Sequence, residues 1–149
     1  MKIAIAIDIK ASKQEVWNVI TNIENSEKTI SGIDKVEILN NPKDSMIGLK
    51  WKETRTLFGK PSTETMWITE AVENKYYKTR AESNGAIYQT ILKLSEKENT
   101  TSLTMEFNSE AISLKAKIMA FIFGRIIGKS MKKLIKKDLI DIKTASENK

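Results

Sequence analysis

Apolar and polar residues alternate along the first two thirds of the chain, and this period of two predicts strands. Every odd position from Ile3 to Ile9 is isoleucine, which gives one apolar face to a half-buried strand over residues 2–10. Asn84 and Gly85 tolerate the positive φ angles of a two-residue hairpin turn, so the strands on either side of them are expected to pair. The other predicted strands are centred on Val36 and Ile38 and then cover residues 47–58, 62–72, 76–83, 86–95 and 101–108.

Helices are predicted after the first strand and at the end of the chain. Ser12 and Glu15 have the spacing of a capping box, which opens a short helix, and a second short helix follows over residues 23–29. Residues 111–144 contain no proline and predict one helix of roughly 30 residues, and the polar tail after about Thr144 is expected to fray. This order predicts an α+β fold of about seven strands, with one curved antiparallel sheet wrapped around the long helix in a single domain.

The two halves of the predicted long helix differ in pattern. At about 100° per residue, the apolar residues of 127–142 form one stripe opposite the lysines, whereas residues 118–127 are apolar all round. Gly124 and Gly128 continue the core-facing stripe, and because each costs about 1 kcal/mol relative to alanine, they indicate close approach of a strand or a ligand. Asp138 lies inside the apolar stripe. Either the helix end leaves the sheet there, or Asp138 pairs with a lysine, partners a buried cation, or caps a helix or loop end.

Ile122 and Ile126 point away from the core-facing stripe. We expect them to meet a covering loop, a second subunit or a membrane surface, so a monomer and a homodimer both fit the pattern. An apolar run of about ten residues is shorter than the roughly 20 that a membrane span requires. The net charge of +6 could favour anionic partners. Nucleic acid is not expected among them, because aromatic residues are few and no nucleic-acid motif accompanies the lysines.

The chain contains no cysteine and no histidine. Disulfides and thiol chemistry are therefore excluded, which fits a cytoplasmic protein. The commonest general base and the commonest zinc ligand are also missing. We expect no cofactor and no metal site, and the residues favour a protein that is not an enzyme. The alternation in the first strand leaves no continuous apolar stretch of signal-peptide length.

Two stretches resemble the START-related superfamily, also called SRPBCC. Residues 7–12 followed by Glu15-Val16-Trp17 resemble its opening, where a strand runs into a helix carrying a Val-Trp pair. Residues 48–55 followed by Phe58-Gly59 resemble the third strand of its bacterial polyketide cyclase/dehydratase-like branch. The resemblance spans nearly the whole chain and implies the helix-grip fold, in which members commonly enclose a cavity between the sheet and the long helix. Many members bind hydrophobic small molecules or lipids, and some catalyse cyclisation or dehydration.

The strand over residues 47–58 carries charges on an apolar face. Trp51 shares its face with Glu53 and Arg55, and buried charges are costly unless they are paired or hydrated. Either this face lines a polar-tipped cavity, or the strand bends out to solvent after Trp51. In a cavity, Arg55 would suit a carboxylate or phosphate headgroup, and Glu53 would hold the arginine or accept a hydrogen bond from a hydroxyl. The predicted ligand-binding residues are Trp51, Glu53, Arg55, Met66, Ile68, Tyr88, Leu92, Met105, Phe107, Met119, Phe123 and Ile127.

Three functions fit these patterns. The first is binding or transport of a hydrophobic small molecule or lipid between the sheet and the long helix. The second is a polyketide cyclase/dehydratase-like enzyme, with Glu53 or Tyr88 as the acid or base and Arg55 polarising a carbonyl. The third is an interaction or stress-related module with a filled core and no ligand.

Overall fold

One antiparallel sheet and one long helix account for most of the chain. The computed structural model describes residues 1–148. The strands are β1 (Lys2–Ile9), β2 (Lys35–Asn40), β3 (Lys50–Leu57), β4 (Lys60–Val72), β5 (Tyr76–Ser83), β6 (Ala86–Lys97) and β7 (Thr100–Ala111). The helices are α1 (Lys13–Thr21), a 3-10 turn (Ile23–Asn25), α2 (Ser26–Thr29) and α3 (Leu114–Glu147).

The sheet order is β1-β7-β6-β5-β4-β3-β2, and every neighbouring pair is antiparallel. Strands β2 to β7 follow one another as hairpins. The helical connection of α1 and α2 carries the chain from one edge of the sheet to the other. Asn84 and Gly85 both have positive φ angles, as the predicted hairpin turn requires. The predicted α+β fold with seven strands and the helix-grip arrangement are confirmed.

The ends of α3 lie later in the sequence than the pattern predicts. Pairing of β7 with β6 continues to Ala111, and the backbone N–H groups of Ile112 and Ser113 both donate to the Gly85 carbonyl. Ser113 then caps the helix by accepting from the Ala116 N–H.

At its other end α3 runs on to Glu147 rather than ending at Thr144. Ser146 is buried, and a Glu147 carboxylate oxygen accepts from the Lys10 N–H at 2.8 Å. Residues 145–147 of the predicted polar tail are therefore helical, because contacts with the end of β1 hold them. The last residue of that tail, Lys149, lies outside the described residues.

The hydrophobic core lies under the C-terminal half of α3. Ile135, Leu139 and Ile142 form one cluster with α1 and with the face of the sheet that the helix covers, called the inner face below. Trp17 of α1 meets Tyr77 of β5 edge to face, with ring centroids 6.2 Å apart. The predicted capping box of α1 is present. This end of the fold is closed by apolar packing from the sheet and both helices.

The N-terminal half of α3 is much less covered. Every buried residue of the helix lies at or after Ile135. A Cβ built at Gly124 would meet no atom within 4 Å, and one built at Gly128 would meet only the Met1 sulfur, at 3.5 Å. The predicted close approach of a strand is therefore wrong at Gly124, because this half of the helix does not pack tightly on the sheet.

Replacing Gly124 by alanine is expected to stabilise the protein by about 1 kcal/mol, because alanine has the higher helix propensity and the added methyl meets open space. Urea unfolding followed by tryptophan fluorescence measures this change.

The matched substitution Gly85→Ala should lower stability, since Gly85 has a φ of +74° and an added methyl would collide with the Ser113 side chain. A destabilised Gly124→Ala variant would mean that something packs against this part of α3.

Candidate functional site

A buried ion cluster joins β3 to α3. Arg55 Nε donates to Glu53 Oε1 at 2.7 Å, and its two terminal nitrogens donate to the two carboxylate oxygens of Asp138 at 3.2 and 2.8 Å. Glu53 is 8% exposed and Asp138 is 4% exposed. Strand β3 therefore keeps its charged side chains on the inner face and does not turn them out to solvent after Trp51.

The surroundings of the cluster fit it closely. The indole N–H of Trp51 donates to the second oxygen of Glu53 at 3.4 Å, a long hydrogen bond. Gly32, in the loop after α2, lies against the guanidinium: a Cβ built there would be 2.9 Å from Arg55 Nη1. A side chain at this position would force the guanidinium or the loop to shift.

Two carboxylates share one guanidinium, so the cluster carries a net charge of −1 when all three groups are ionised. Burial disfavours the charged guanidinium, but Glu53 and Asp138 outweigh it, so the pKa of Arg55 lies above its usual value. Burial raises the pKa of Asp138, and Arg55 offsets this only in part, while the negative charges of Glu53 and Asp141 add to the rise.

The role of Asp138 is therefore that of partner to a buried cation. Of the alternatives open from the pattern, the departure of the helix end from the sheet and a lysine pair are both wrong. A carboxylate inside an apolar helix stripe is tolerated here because Arg55 binds both of its oxygens.

A second group of side chains lies at the less covered end of the inner face. Cross-strand register aligns Met66, Ala81, Tyr88 and Ser109 across four neighbouring strands. Tyr88 stacks on Phe107, with ring centroids 6.1 Å apart. Met66, Tyr88 and Phe107 are half-buried. This is the part of the sheet near the turn to which the start of α3 is attached.

Glu64 belongs to the same group and was missed by the sequence reasoning. One of its carboxylate oxygens accepts from the Ser83 hydroxyl at 2.9 Å, and the other is buried without a hydrogen-bond partner. Burial, followed by the nearby charge of Glu64, raises the pKa of Tyr88. The signal was available, because Glu64 lies two residues before Met66 and period two puts both on one face.

The predicted ligand-binding residues divide between these two regions and the helix above them. Glu53 and Arg55 belong to the ion cluster. Four apolar residues are buried in the closed core, namely Trp51, Ile68, Leu92 and Met105. The others are half-buried or exposed at the less covered end, with Met66, Tyr88 and Phe107 on the sheet and Met119, Phe123 and Ile127 on α3.

Within residues 1–148, no group of three or more acidic side chains is arranged to hold a metal ion. In the same part of the chain, no helix combines the length and the hydrophobicity needed to cross a bilayer.

Comparison with known sequences gives the family. A family model described as "Polyketide cyclase / dehydrase and lipid transport" matches residues 1–147. The chain belongs to this family. The resemblance seen in its opening strand and helix is therefore confirmed. Membership supports hydrophobic-ligand binding or a cyclase role in general terms. Among curated proteins, no sequence matches this chain.

Solved structures of low sequence identity share the fold of this polyketide cyclase/dehydrase and lipid transport family member. A protein from Thermus thermophilus superposes with a TM-score of 0.83 at 11% identity, covering 98% of this chain and 97% of its own. The Zhui aromatase/cyclase from Streptomyces sp. R1128 superposes with a TM-score of 0.75 at 13% identity, and the match covers 99% of this chain and 93% of that one. A START superfamily protein from Mycobacterium smegmatis superposes with a TM-score of 0.71 at 14% identity, and the match covers 99% of this chain and 94% of that one.

The pH dependence of stability tests the charge balance of the cluster. Because the folded-state pKa of Asp138 is raised, its contribution to stability is fully present below the unfolded-state pKa and is lost as the pH rises through the folded-state value. In the variant Asp138→Asn, the side chain at this position is uncharged at every pH. The unfolding free energy of the wild type minus that of the variant is therefore expected to fall as the pH rises from about 3 to about 7.

Urea unfolding at a series of pH values measures this difference. The matched variant Asp44→Asn makes the same chemical change in an exposed loop, so it shows how loss of a carboxylate away from the cluster alters the unfolding free energy at each pH. A difference that grows with pH would show that attraction to Arg55 outweighs the burial of Asp138.

Proposed function

We propose that the protein binds a hydrophobic small molecule or lipid in the groove between the less covered end of the inner face and the N-terminal half of α3. The observation that carries the proposal is the buried Glu64 oxygen that has no partner, beside the half-buried Tyr88 and Phe107. A polar atom without a partner among apolar side chains is costly. A bound ligand that donates a hydrogen bond would remove that cost.

The path of α3 supports a groove at this place. The helix starts at the β5–β6 turn, where Ser113 binds Gly85, and passes beside Met1 at Gly128. Its first half therefore crosses from β6 towards β1, above β7. On this half Met119 and Phe123 each expose more than 40% of their surface, so they supply apolar contact area that the fold itself does not use.

The amount of apolar surface suits a small ligand. Removing about 300 Å² of apolar surface from water yields roughly 7 kcal/mol before the ordering costs of binding, which corresponds to micromolar affinity at best. Such an affinity fits a carrier that must also release its ligand.

The polar groups favour a ligand with a hydroxyl or amine donor near Glu64 rather than a carboxylate. Arg55, which the sequence offered for an anionic headgroup, is already bound by Glu53 and Asp138. An anionic ligand would have to displace one of them. Because Glu53 is held in the same way, it is not free to transfer protons, and this favours carriage over catalysis.

Binding of 2-naphthol, measured by equilibrium dialysis, tests the groove and its polar atom together. We expect Glu64→Leu to weaken 2-naphthol binding about fivefold to tenfold, since one hydrogen bond is lost. The same variant should leave 2-methylnaphthalene binding unchanged or tighter, because that compound has no donor. Tyr88→Ala should weaken both, since it removes an apolar wall.

Gln89→Ala, on the same strand but with an exposed side chain, is the matched control and should bind both compounds like the wild type. Equal losses in the control and in Tyr88→Ala would reject the groove. Native mass spectrometry and organic extraction of the purified protein would identify a retained ligand. If neither compound binds and nothing co-purifies, the module with a filled core becomes the better reading.

An enzymatic role is the second candidate, and Glu64 favours it in a form different from the one predicted. Its unpartnered oxygen, near the Tyr88 phenol, could accept a proton from a carbon next to a carbonyl. Deuterium exchange into 4-phenyl-2-butanone, followed by NMR, tests this role. Exchange faster than in buffer alone that disappears in Glu64→Gln would support catalysis. Exchange at the rate of buffer alone would reject this enzymatic role and favour ligand carriage.

A further inference from the structure

The outer side of α3 carries an apolar surface that no other part of the described chain covers. Angles around the helix axis are counted from Ile135 of the buried stripe at 100° per residue. The residues of this apolar surface then lie between about 40° and 180°. Phe121 is 92% exposed, and the others expose half or more of their surface. These residues, called the apolar tip below, are Leu114, Ile118, Phe121, Ile122 and Ile126.

The same side of the helix is cationic over the following turns. Residues 112–137 contain eight lysines and arginines and no aspartate or glutamate. The chain's net charge is +6 and this segment contributes +8, so the rest of the chain carries a net charge of −2. Six of these cations fall within the angular range of the apolar tip. One of them, Lys115, lies among the tip residues, and the five that follow Ile122 are called the basic band below: Arg125, Lys129, Lys132, Lys133 and Lys136.

An open cleft of about 450 Å³ lies between α3 and the start of the chain at β1, and three residues of the basic band line it. Gly124 and Gly128 form its floor on the helix, and Met1 and Ile3 border it on the sheet. Its charged lining is wholly cationic: Lys2, Arg125, Lys129 and Lys132. The space that the glycines leave free is therefore surrounded by positive charge, which suits a phosphate group.

We propose that the outer face of α3 docks on an anionic lipid bilayer. The apolar tip enters the boundary between headgroups and acyl chains, as the apolar face of an interfacial helix does. The basic band and the cleft contact lipid phosphates, each cation adding to the attraction of an anionic surface. This inference goes beyond the proposed function, because docking requires no ligand in the groove.

Charge complementarity favours a bilayer over the other occupants. A symmetric dimer through this face would bring two basic bands together, and like charges across an interface oppose association. A nucleic acid would neutralise the cations but leave Phe121 and its apolar neighbours in water. An anionic bilayer satisfies both parts of the surface at once.

Vesicle sedimentation with the full chain tests the proposal. We expect binding to vesicles of 70% phosphatidylcholine and 30% phosphatidylglycerol, and at least about tenfold weaker binding to pure phosphatidylcholine. Binding to the anionic vesicles should weaken at about 0.5 M salt, because the ionic part is screened.

Charge variants separate the basic band from general basicity. Arg125→Gln/Lys129→Gln/Lys132→Gln should weaken binding to the anionic vesicles at least about tenfold. The control Lys28→Gln/Lys43→Gln/Lys60→Gln removes three exposed positive charges elsewhere and should bind like the wild type. The double variant Phe121→Ser/Ile122→Ser should weaken binding to both vesicle types without changing stability, since both side chains are exposed.

Several results would overturn the proposal. Equal binding to neutral and anionic vesicles would reject it, as would equal effects of the two triple variants. A dimer in light scattering without lipid, lost in Phe121→Ser/Ile122→Ser, would assign the face to a second copy. Vesicle binding and 2-naphthol binding are separate measurements, so either the docking surface or the ligand groove can fail alone.

Discussion

The ion cluster of Glu53, Arg55 and Asp138 holds the architecture together. The C-terminal half of α3 touches the β1 edge of the sheet, where Lys143 donates to the Asp8 carbonyl. Through Asp138 it also reaches β3, five strands away in the sheet order. One helix thus spans the inner face, and the hydrogen bonds among the three charged groups offset part of the cost of burying them. Removing Arg55 alone would leave two buried carboxylates facing each other.

That attachment divides α3 into two parts with different roles. The anchored half packs into a closed core, where apolar burial and the ion cluster leave little space for a ligand. The half before Ile135 has no buried residue and is held mainly at its ends, by Gly85 and by Met1. Its two sides therefore remain available, the inner one towards Tyr88 and Phe107 and the outer one towards a partner. The proposed ligand groove and docking surface are the two sides of the same segment.

Both glycines of α3 lie in its less covered half. Alanine would be the better helix former at both positions. Here Gly124 and Gly128 lie in the floor of the basic cleft, and open space or one sulfur atom faces them. The stability they cost is small beside that of the core, so the less covered half of the helix tolerates them.

The sequence by itself determined what depends on neighbouring residues. Alternation from Ile3 to Ile9, the Ser12 cap and the turn at Asn84 follow from local backbone preferences, and together they predicted the elements and their order. Only the tertiary structure decided which groups meet. Asp138 bonds Arg55 across 83 positions of sequence, and Gly85 delays the start of α3 by accepting two backbone hydrogen bonds. Glu64 keeps an oxygen without a partner because of side chains brought by other strands. Such contacts depend on how distant segments pack, and no periodicity along the chain encodes them.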